Sequence, residues 1–388
     1  MKHPASCPAV RLALLFLLFC FAAACTPHVA PPEHTLLFAR GDGGSKFYRI
    51  PALATAADGS LVAAIDKRIE TMGDLPNKID IVARRSEDGG RTWSEPVTVA
   101  AHCGDCGYGD PALVVDRTSG DMLCICASGV GLWASTPEIP AGIEVFRSSD
   151  HGRTWSGPVS VTSQIYGCGC ADTLSCRWRG AFAASGAALQ LRDGTLAFVI
   201  AVRTGEPRRL ANHVCLSEDG GRTWRALPAV ADMNGDEAKL AELADGAWLM
   251  SIRNPEGGRR KYAVSHDRGL SWSQPARWEE MCEPACNGDL IRYTLRSDGF
   301  ERDRLLHSIP FDEQTRRRVS LLMSYDEGRT WPVRKTVWDT DAGYSALTVL
   351  PDGAIGMLTE VGGWDEGFDI YFTRITPEWL TDGADSYR

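Results

Sequence analysis

The side chains with the most chemistry to offer are three arginines, one tyrosine and a few carboxylates, all in short apolar or turn-rich settings. Arg49 lies in Phe47-Tyr-Arg-Ile-Pro51, Arg253 in Leu249-Met-Ser-Ile-Arg-Asn254, and Arg316 opens the run Arg316-Arg317-Arg318. Guanidinium forks match the geometry of a carboxylate and stay charged at any working pH. The chain carries a formal charge of −9, so an anionic ligand has to be held by a local arginine cluster against the global field. Tyr344 sits in Gly343-Tyr-Ser-Ala-Leu347. A phenol, with a pKa of about 10, becomes a nucleophile only with a base beside it. The carboxylates are Glu237 in Asp236-Glu-Ala-Lys-Leu-Ala-Glu242, Asp74 in the loop Met72-Gly-Asp-Leu-Pro-Asn77, Asp110 before Pro111, and Glu360, 16 residues beyond Tyr344. Arg68 follows Arg49 by 19 residues and precedes Asp74 by six.

An internal repeat supplies the elements that must bring these scattered residues together. The pattern S-x-D-x-G-x-[ST]-W occurs five times, at Ser86–Trp93, Ser148–Trp155, Ser217–Trp224, Ser265–Trp272 and Ser324–Trp331, with spacings of 62, 69, 48 and 59 residues. Short β-rich runs such as Ile79 to Arg84 and Ile143 to Arg147 precede it. Within the pattern the Asp can accept from backbone N–H groups of the turn, the Gly supplies backbone freedom, and the Trp packs into a sheet. Helical periodicity is nearly absent beyond residue 24, and strands end in turns such as Asp58-Gly59, Asp193-Gly194, Asp245-Gly246 and Asp352-Gly353. Dividing the 364 residues beyond position 24 (388 − 24) by a repeat of roughly 60 predicts six units. Six four-stranded blades closed in a ring, forming one all-β propeller domain over residues 36–388, fit that count.

The repeats are similar to the Asp boxes of the bacterial and animal sialidases, and the resemblance extends over residues 36–375. Phe47-Tyr-Arg-Ile-Pro51 resembles the F/Y-R-I-P motif of that family. The resemblance implies a six-bladed propeller whose Asp boxes are structural and lie away from the active site. It implies that Arg49, Arg253 and Arg316 bind the carboxylate of a sialic acid, with Arg317 and Arg318 as alternatives for the third ligand. It also implies Tyr344 as nucleophile with Glu237 as its base, Glu360 as the partner of Arg49, and Asp74 as acid/base. Arg68 and Asp110 would contact the sugar. A neutral nucleophile makes physical sense, because a carboxylate would be repelled by the one already on the anomeric carbon. The implied function is a retaining exo-α-sialidase acting on sialylated glycans, glycoproteins or glycolipids through a tyrosyl glycosyl-enzyme. Transfer to another acceptor, or within the sugar, would use the same site. A sialic-acid-binding propeller without turnover is the reading from a different class.

Other chemistries lack their signatures. G-x-S-x-G, H-E-x-x-H and Walker A motifs are missing, and eight scattered His show no metal spacing; no metal or cofactor is expected. The acidic balance excludes an electrostatic footprint for nucleic acid, and a monomer is expected. At the N-terminus, Lys2 and Arg11 precede the apolar stretch Leu12 to Phe21, and Ala22-Ala23-Ala24 leads into Cys25. Residues 1–24 therefore read as a signal peptide. Small residues directly before Cys25 resemble a bacterial lipobox, which implies lipidation of Cys25 and a tether over residues 25–35. The expected location is membrane-anchored at the cell surface or in the periplasm, with simple secretion as the alternative. Ten further cysteines, from Cys103 to Cys286, would favour disulfides in an exported chain, with zinc at Cys103-x-x-Cys106 as the rival.

Overall fold

The computed structural model describes residues 1, 29, 31–205 and 209–388, and its regular structure is almost wholly β-strand. The expected signal peptide and Cys25 fall outside the described residues apart from the first. Of the expected tether, Glu33–Thr35 already belongs to the first strand, Glu33–Phe38.

Most strands are short, joined by tight turns and paired with their sequence neighbours, so each sheet is built on an antiparallel meander. The first holds Phe47–Thr55, Leu61–Arg68, Ile79–Ser86 and Val97–Ala100. The second is built on Tyr108–Val115, Met122–Ser128, Gly142–Ser148 and Ser156–Ser160, and Gly186–Ala187 pairs parallel to its leading strand. The third centres on Leu196–Arg203 and Leu210–Ser217, and the fourth runs from Ala238–Glu242 through Trp248–Ile252 and Gly258–Ser265 to Ala276–Glu283. The last sheet has seven strands, because Val333–Val349 serves two neighbours: its first half pairs with Arg317–Ser324 and its second with Ile355–Gly363.

Apolar residues fill the space between successive sheets. Ile81 and Ala83 of the first meet Leu113 and Met122 of the second. Ile125 meets Phe198 of the third, Val199 meets Trp248 of the fourth, and Leu249 meets Leu305 of the last. The series returns on itself: Leu53 and Ile65 of the first sheet pack on Ala346, Leu358 and Phe372 of the last. The arrangement is an all-β, propeller-like ring. It is closed by the N-terminal strand Glu33–Phe38 pairing with the C-terminal strand Gly367–Ile375, which covers the edge of the latter and makes the N-terminal strand the outermost of the sheet.

The repeats lock the turns as the sequence predicts. In the first, Asp88 Oδ1 accepts from the backbone N–H of Arg91 and Thr92 at 3.0 and 2.9 Å, and Oδ2 accepts from the Thr92 hydroxyl at 2.6 Å. Ser86 donates to the same Asp at 2.9 Å and accepts from Gly90 N–H at 2.8 Å. The Thr92 hydroxyl, its N–H and Ser86 hold Asp88 at about 2. Gly90 has φ +90°, and a Cβ there would sit 2.0 Å from the Phe372 ring. Backbone shape and close packing both demand glycine at this point. Four box serines pair with the opening residue of the preceding strand, for example Ser86 with Leu61 and Ser217 with Leu196, and Ser324 pairs with Leu305, the second residue of Arg304–Pro310. The boxes therefore lie beside the turns where the leading strands end. At that end Leu53, Leu113, Ala187, Leu240, Leu290 and Leu347 line a common cavity of about 1050 Å³. The opposite ends of the leading strands are left for the site.

The expected disulfides are absent: all ten described cysteines are free. Cys124 and Cys126 alternate along Met122–Ser128, so both face the apolar layer between the first two sheets and pack as small hydrophobes. Cys103 and Cys106 face each other only through backbone bonds across a tight turn, at 2.8 and 3.1 Å.

Candidate active site

The chemistry-bearing residues sit at the starts of the leading strands. Arg49 is the third residue of Phe47–Thr55, Asp110 the third of Tyr108–Val115, and Glu237 directly precedes Ala238–Glu242. Tyr344 lies where Val333–Val349 passes between its two partners. Their approach is a property of the ring, since they come from different sheets.

Arg49 is 2% exposed and held by a carboxylate with no exposure, Glu360, through Nε–Oε1 at 3.0 Å and Nη2–Oε2 at 3.2 Å. Glu360 also accepts Ile50 N–H at 2.8 Å and Tyr344 N–H at 3.0 Å. One carboxylate therefore ties the first arginine to the tyrosine across the closure of the ring. Burial works against its ionisation, but Arg49 and these N–H donors keep its pKa below the ordinary carboxylate value.

Tyr344 donates its hydroxyl to Glu237 Oε1 at 2.5 Å. Arg253 Nη1 reaches Tyr344 Oη at 2.9 Å and also bonds Glu237 Oε2. Burial and the adjacent Glu237 push the phenol well above its usual value. Glu237 goes the other way: burial opposes its charge, but Arg253 and the phenol hydrogen bond outweigh it. The resting pair is a neutral phenol against an ionised carboxylate, as a base-assisted nucleophile requires.

The third arginine is Arg316. Its guanidinium lies 5.3 Å from the Tyr344 ring centroid and 5.4 Å from that of Trp364. Nη2 donates to the Ala285 carbonyl at 3.2 Å, while Nη1 is buried without a hydrogen-bond partner among the described residues. Arg317 and Arg318 are exposed, and Arg318 pairs with Asp312 at 2.7 Å. Arg316 lies just before the strand Arg317–Ser324, and the left-handed φ of 54° at Arg318, where the register shifts, breaks the alternation that would otherwise put Arg316 and Arg318 on one face.

A second group forms on the first two sheets. Arg68 bonds Asp66 Oδ2 through Nε and Nη2 at 3.3 and 3.0 Å and reaches Asp74 Oδ1 at 2.8 Å. The Asp74 side chain is 72% exposed, on a loop at the rim. Asp110, with φ 59°, donates its N–H to Asp66 Oδ1 at 3.0 Å. Burial raises Asp66 to about 7 against the pull of Arg68, and burial with Asp66 nearby raises Asp110 well above its usual value.

A family model described as a BNR repeat-like domain matches residues 68–357. A solved Hadza microbial sialidase is 30% identical, with a TM-score of 0.78, over 88% of this chain and 68% of that one. The chain belongs to the sialidase family. A sialidase of Micromonospora viridifaciens is 36% identical over 89% of this sialidase-family chain, and one of Bacteroides fragilis is 29% identical over 82%. The chain spans 54% and 61% of the lengths of those two relatives.

Several site residues of this sialidase-family chain escaped the sequence reading. Asp66 stands two residues before Arg68, on the same strand face, and that i, i+2 spacing was the available signal. Asp236 lies 3.4 Å from Arg253 Nε and was passed over beside Glu237. Trp364 lies 4.6 Å from the Arg49 guanidinium and comes from a turn with no distinguishing pattern. Cys286 packs with Ile50 and Tyr344, and nothing local marks it.

Proposed function

We propose that this protein is a retaining exo-α-sialidase that hydrolyses terminal sialic acid from glycoconjugates through a tyrosyl glycosyl-enzyme. The observation that carries the proposal is the short Tyr344–Glu237 hydrogen bond set among Arg49, Arg253 and Arg316. Clustered guanidinium groups fit a substrate whose reacting carbon bears a carboxylate, and the unpartnered Nη1 of Arg316 is a donor awaiting an acceptor. Tyr344 Oη attacks the anomeric carbon while its proton passes to Glu237, and Asp74 gives a proton to the leaving oxygen. Asp74 then takes a proton from water, which attacks from the face the leaving group vacated, opposite Tyr344; the tyrosyl–sugar bond breaks, Glu237 returns its proton to Tyr344 Oη, and the original configuration is restored. Arg68, Asp66 and Asp110 form a polar group suited to ring hydroxyls.

The six-bladed form belongs to the same proposal. Dividing the seven-stranded sheet at Ala342, where Val333–Val349 changes partner, leaves two four-stranded units beside the four other sheets. We also propose export through residues 1–24 with lipidation of Cys25, which an intact mass of the membrane-bound protein tests.

The deciding experiment is incubation with a fluorogenic α-sialoside, following the first-formed anomer by NMR. Release of the α-anomer supports the reading. First-formed β-anomer removes the retaining mechanism, an anhydro sugar or a sialylated acceptor assigns transfer, and binding without turnover assigns a lectin-like role.

A further inference from the structure

Beneath the arginines lies a buried set of contacts that none of these catalytic steps uses. Its centre is the ion pair between Arg260 Nη1 and Glu283 Oε2 at 2.9 Å, with both side chains fully buried. The other oxygen of Glu283 accepts the N–H of Asn254, the residue after Arg253, at 2.5 Å. Arg260 Nη1 also donates to the Cys286 carbonyl at 2.9 Å, and its Nε donates to Ser251 Oγ at 2.9 Å. Between these anchors Ala285 takes a left-handed φ of 51° and offers its carbonyl to Arg316 at 3.2 Å. Cys286 packs on Tyr344 and Ile50, and Asn287 accepts Lys239 Nζ at 2.9 Å.

A buried ion pair is a poor source of stability, because desolving two charges offsets their attraction and an apolar pair of similar volume does as well. Geometry is the better reason for this one. A carboxylate fixed at both oxygens and a guanidinium fixed at two nitrogens together hold the stem of Arg253 and the carbonyl that aims Arg316. The strained backbone at Ala285 needs surroundings that over-determine it.

We propose that Arg260 and Glu283 are positioning residues that set Arg253 and Arg316 for the substrate carboxylate. The proposal rests on the sialidase reading and adds to it the part of the fold that builds two-thirds of the arginine cluster.

Two variants test it. Glu283→Gln keeps an acceptor for Asn254 but strips the charge opposite Arg260. Arg260→Lys keeps the charge but loses the fork that spans Glu283, Cys286 and Ser251. In each, KM for the α-sialoside should rise about 10-fold or more, and by a larger factor than kcat falls, since both arginines lose their aim at the carboxylate while only Arg253 also touches Tyr344 and Glu237. An Asp219→Ala variant, destabilised on the far face, controls for stability and should keep the wild-type KM. Folded variants with wild-type KM overturn the proposal, as does a fall in kcat at unchanged KM, or failure of both variants to fold. Wild-type protein without turnover overturns the sialidase reading itself, and this proposal with it.

Discussion

At the scale of single residues, the site works by setting neighbouring groups in opposite protonation states. Tyr344 keeps its proton because burial and the adjacent Glu237 raise its pKa, whereas Glu237 gives its own up because Arg253 and the phenol hydrogen bond outweigh its burial. Tyr344→Phe removes one hydroxyl and should fold normally while losing covalent turnover; near-wild-type hydrolysis would show that the nucleophile lies elsewhere. Glu237→Gln retains a hydrogen bond but no base, so kcat should fall by about 10²- to 10⁴-fold. Arg49→Lys keeps the charge but loses the fork that Glu360 grips. A charge-assisted hydrogen bond is worth about 1.5–3 kcal/mol, so kcat/KM should drop about 10- to 100-fold. The Asp66–Asp110 group carries a pH signature. Both carboxyls have pKa values raised by burial, so the stability they contribute is fully present below the unfolded value and declines as pH rises through about 7 for Asp66. Thermal melts across pH 5 to about 8.5 should show that decline, flattened in Asp66→Asn; an unchanged slope would place the titration elsewhere.

At the scale of elements, the boxes and the site occupy opposite ends of the same strands, so damage to one should spare the other. Asp219→Ala deletes bonds to Ser217, Arg222 N–H, and Thr223 N–H and hydroxyl. By analogy with helix caps, about 1–2 kcal/mol of stability should be lost. KM and kcat should stay close to wild type in kinetics below the melting range, and a large change in either would mean that the boxes reach the site. Box carboxylates also set the acid limit. Asp150 and Asp219, like Asp88, lie at about 2: burial opposes their charge, but hydrogen bonds within each turn outweigh it. Their contribution is therefore present above the ordinary aspartate value and lost as pH falls toward 2.

At the scale of the whole molecule, the ring depends on a strand from one end of the chain completing the sheet at the other. Leu37 and Phe38 are 5% and 2% exposed and pack against Leu53, Ile65, Leu358 and Phe372. Removing residues 33–38 forfeits about 1.5–3 kcal/mol for each of those two side chains and bares the strand Gly367–Ile375 as an edge. The truncated protein should melt lower and self-associate in size-exclusion chromatography. It should also lose activity, because Glu360, on the neighbouring strand Ile355–Gly363, orients both Arg49 and Tyr344. A truncated chain that stays monomeric, stable and active would show that closure is dispensable.

The sequence by itself determined what is local. Turn chemistry is written within eight residues, so the five boxes, their hydrogen bonds and the β-rich rhythm between them were legible at once. Arg49, Arg68, Asp74, Asp110, Glu237, Arg253, Tyr344 and Glu360 were picked out by resemblance to sialidase motifs and by their offsets from Arg49 and the boxes, with Asp110, marked only by the proline after it, the least specific. Only the tertiary structure decided what depends on facing directions and distant partners. It separated Arg316 from Arg317 and Arg318, because Arg316 precedes the strand and an irregularity at Arg318, with φ 54°, turns that side chain away from the site. It left the ten described cysteines unpaired, because pairing needs two side chains in register and Cys124 and Cys126 are taken up by the apolar layer. It also brought Glu283 against Arg260 and Ala285 against Arg316, contacts between strands and loops that carry no pattern of their own. Position in the ring made them part of the site.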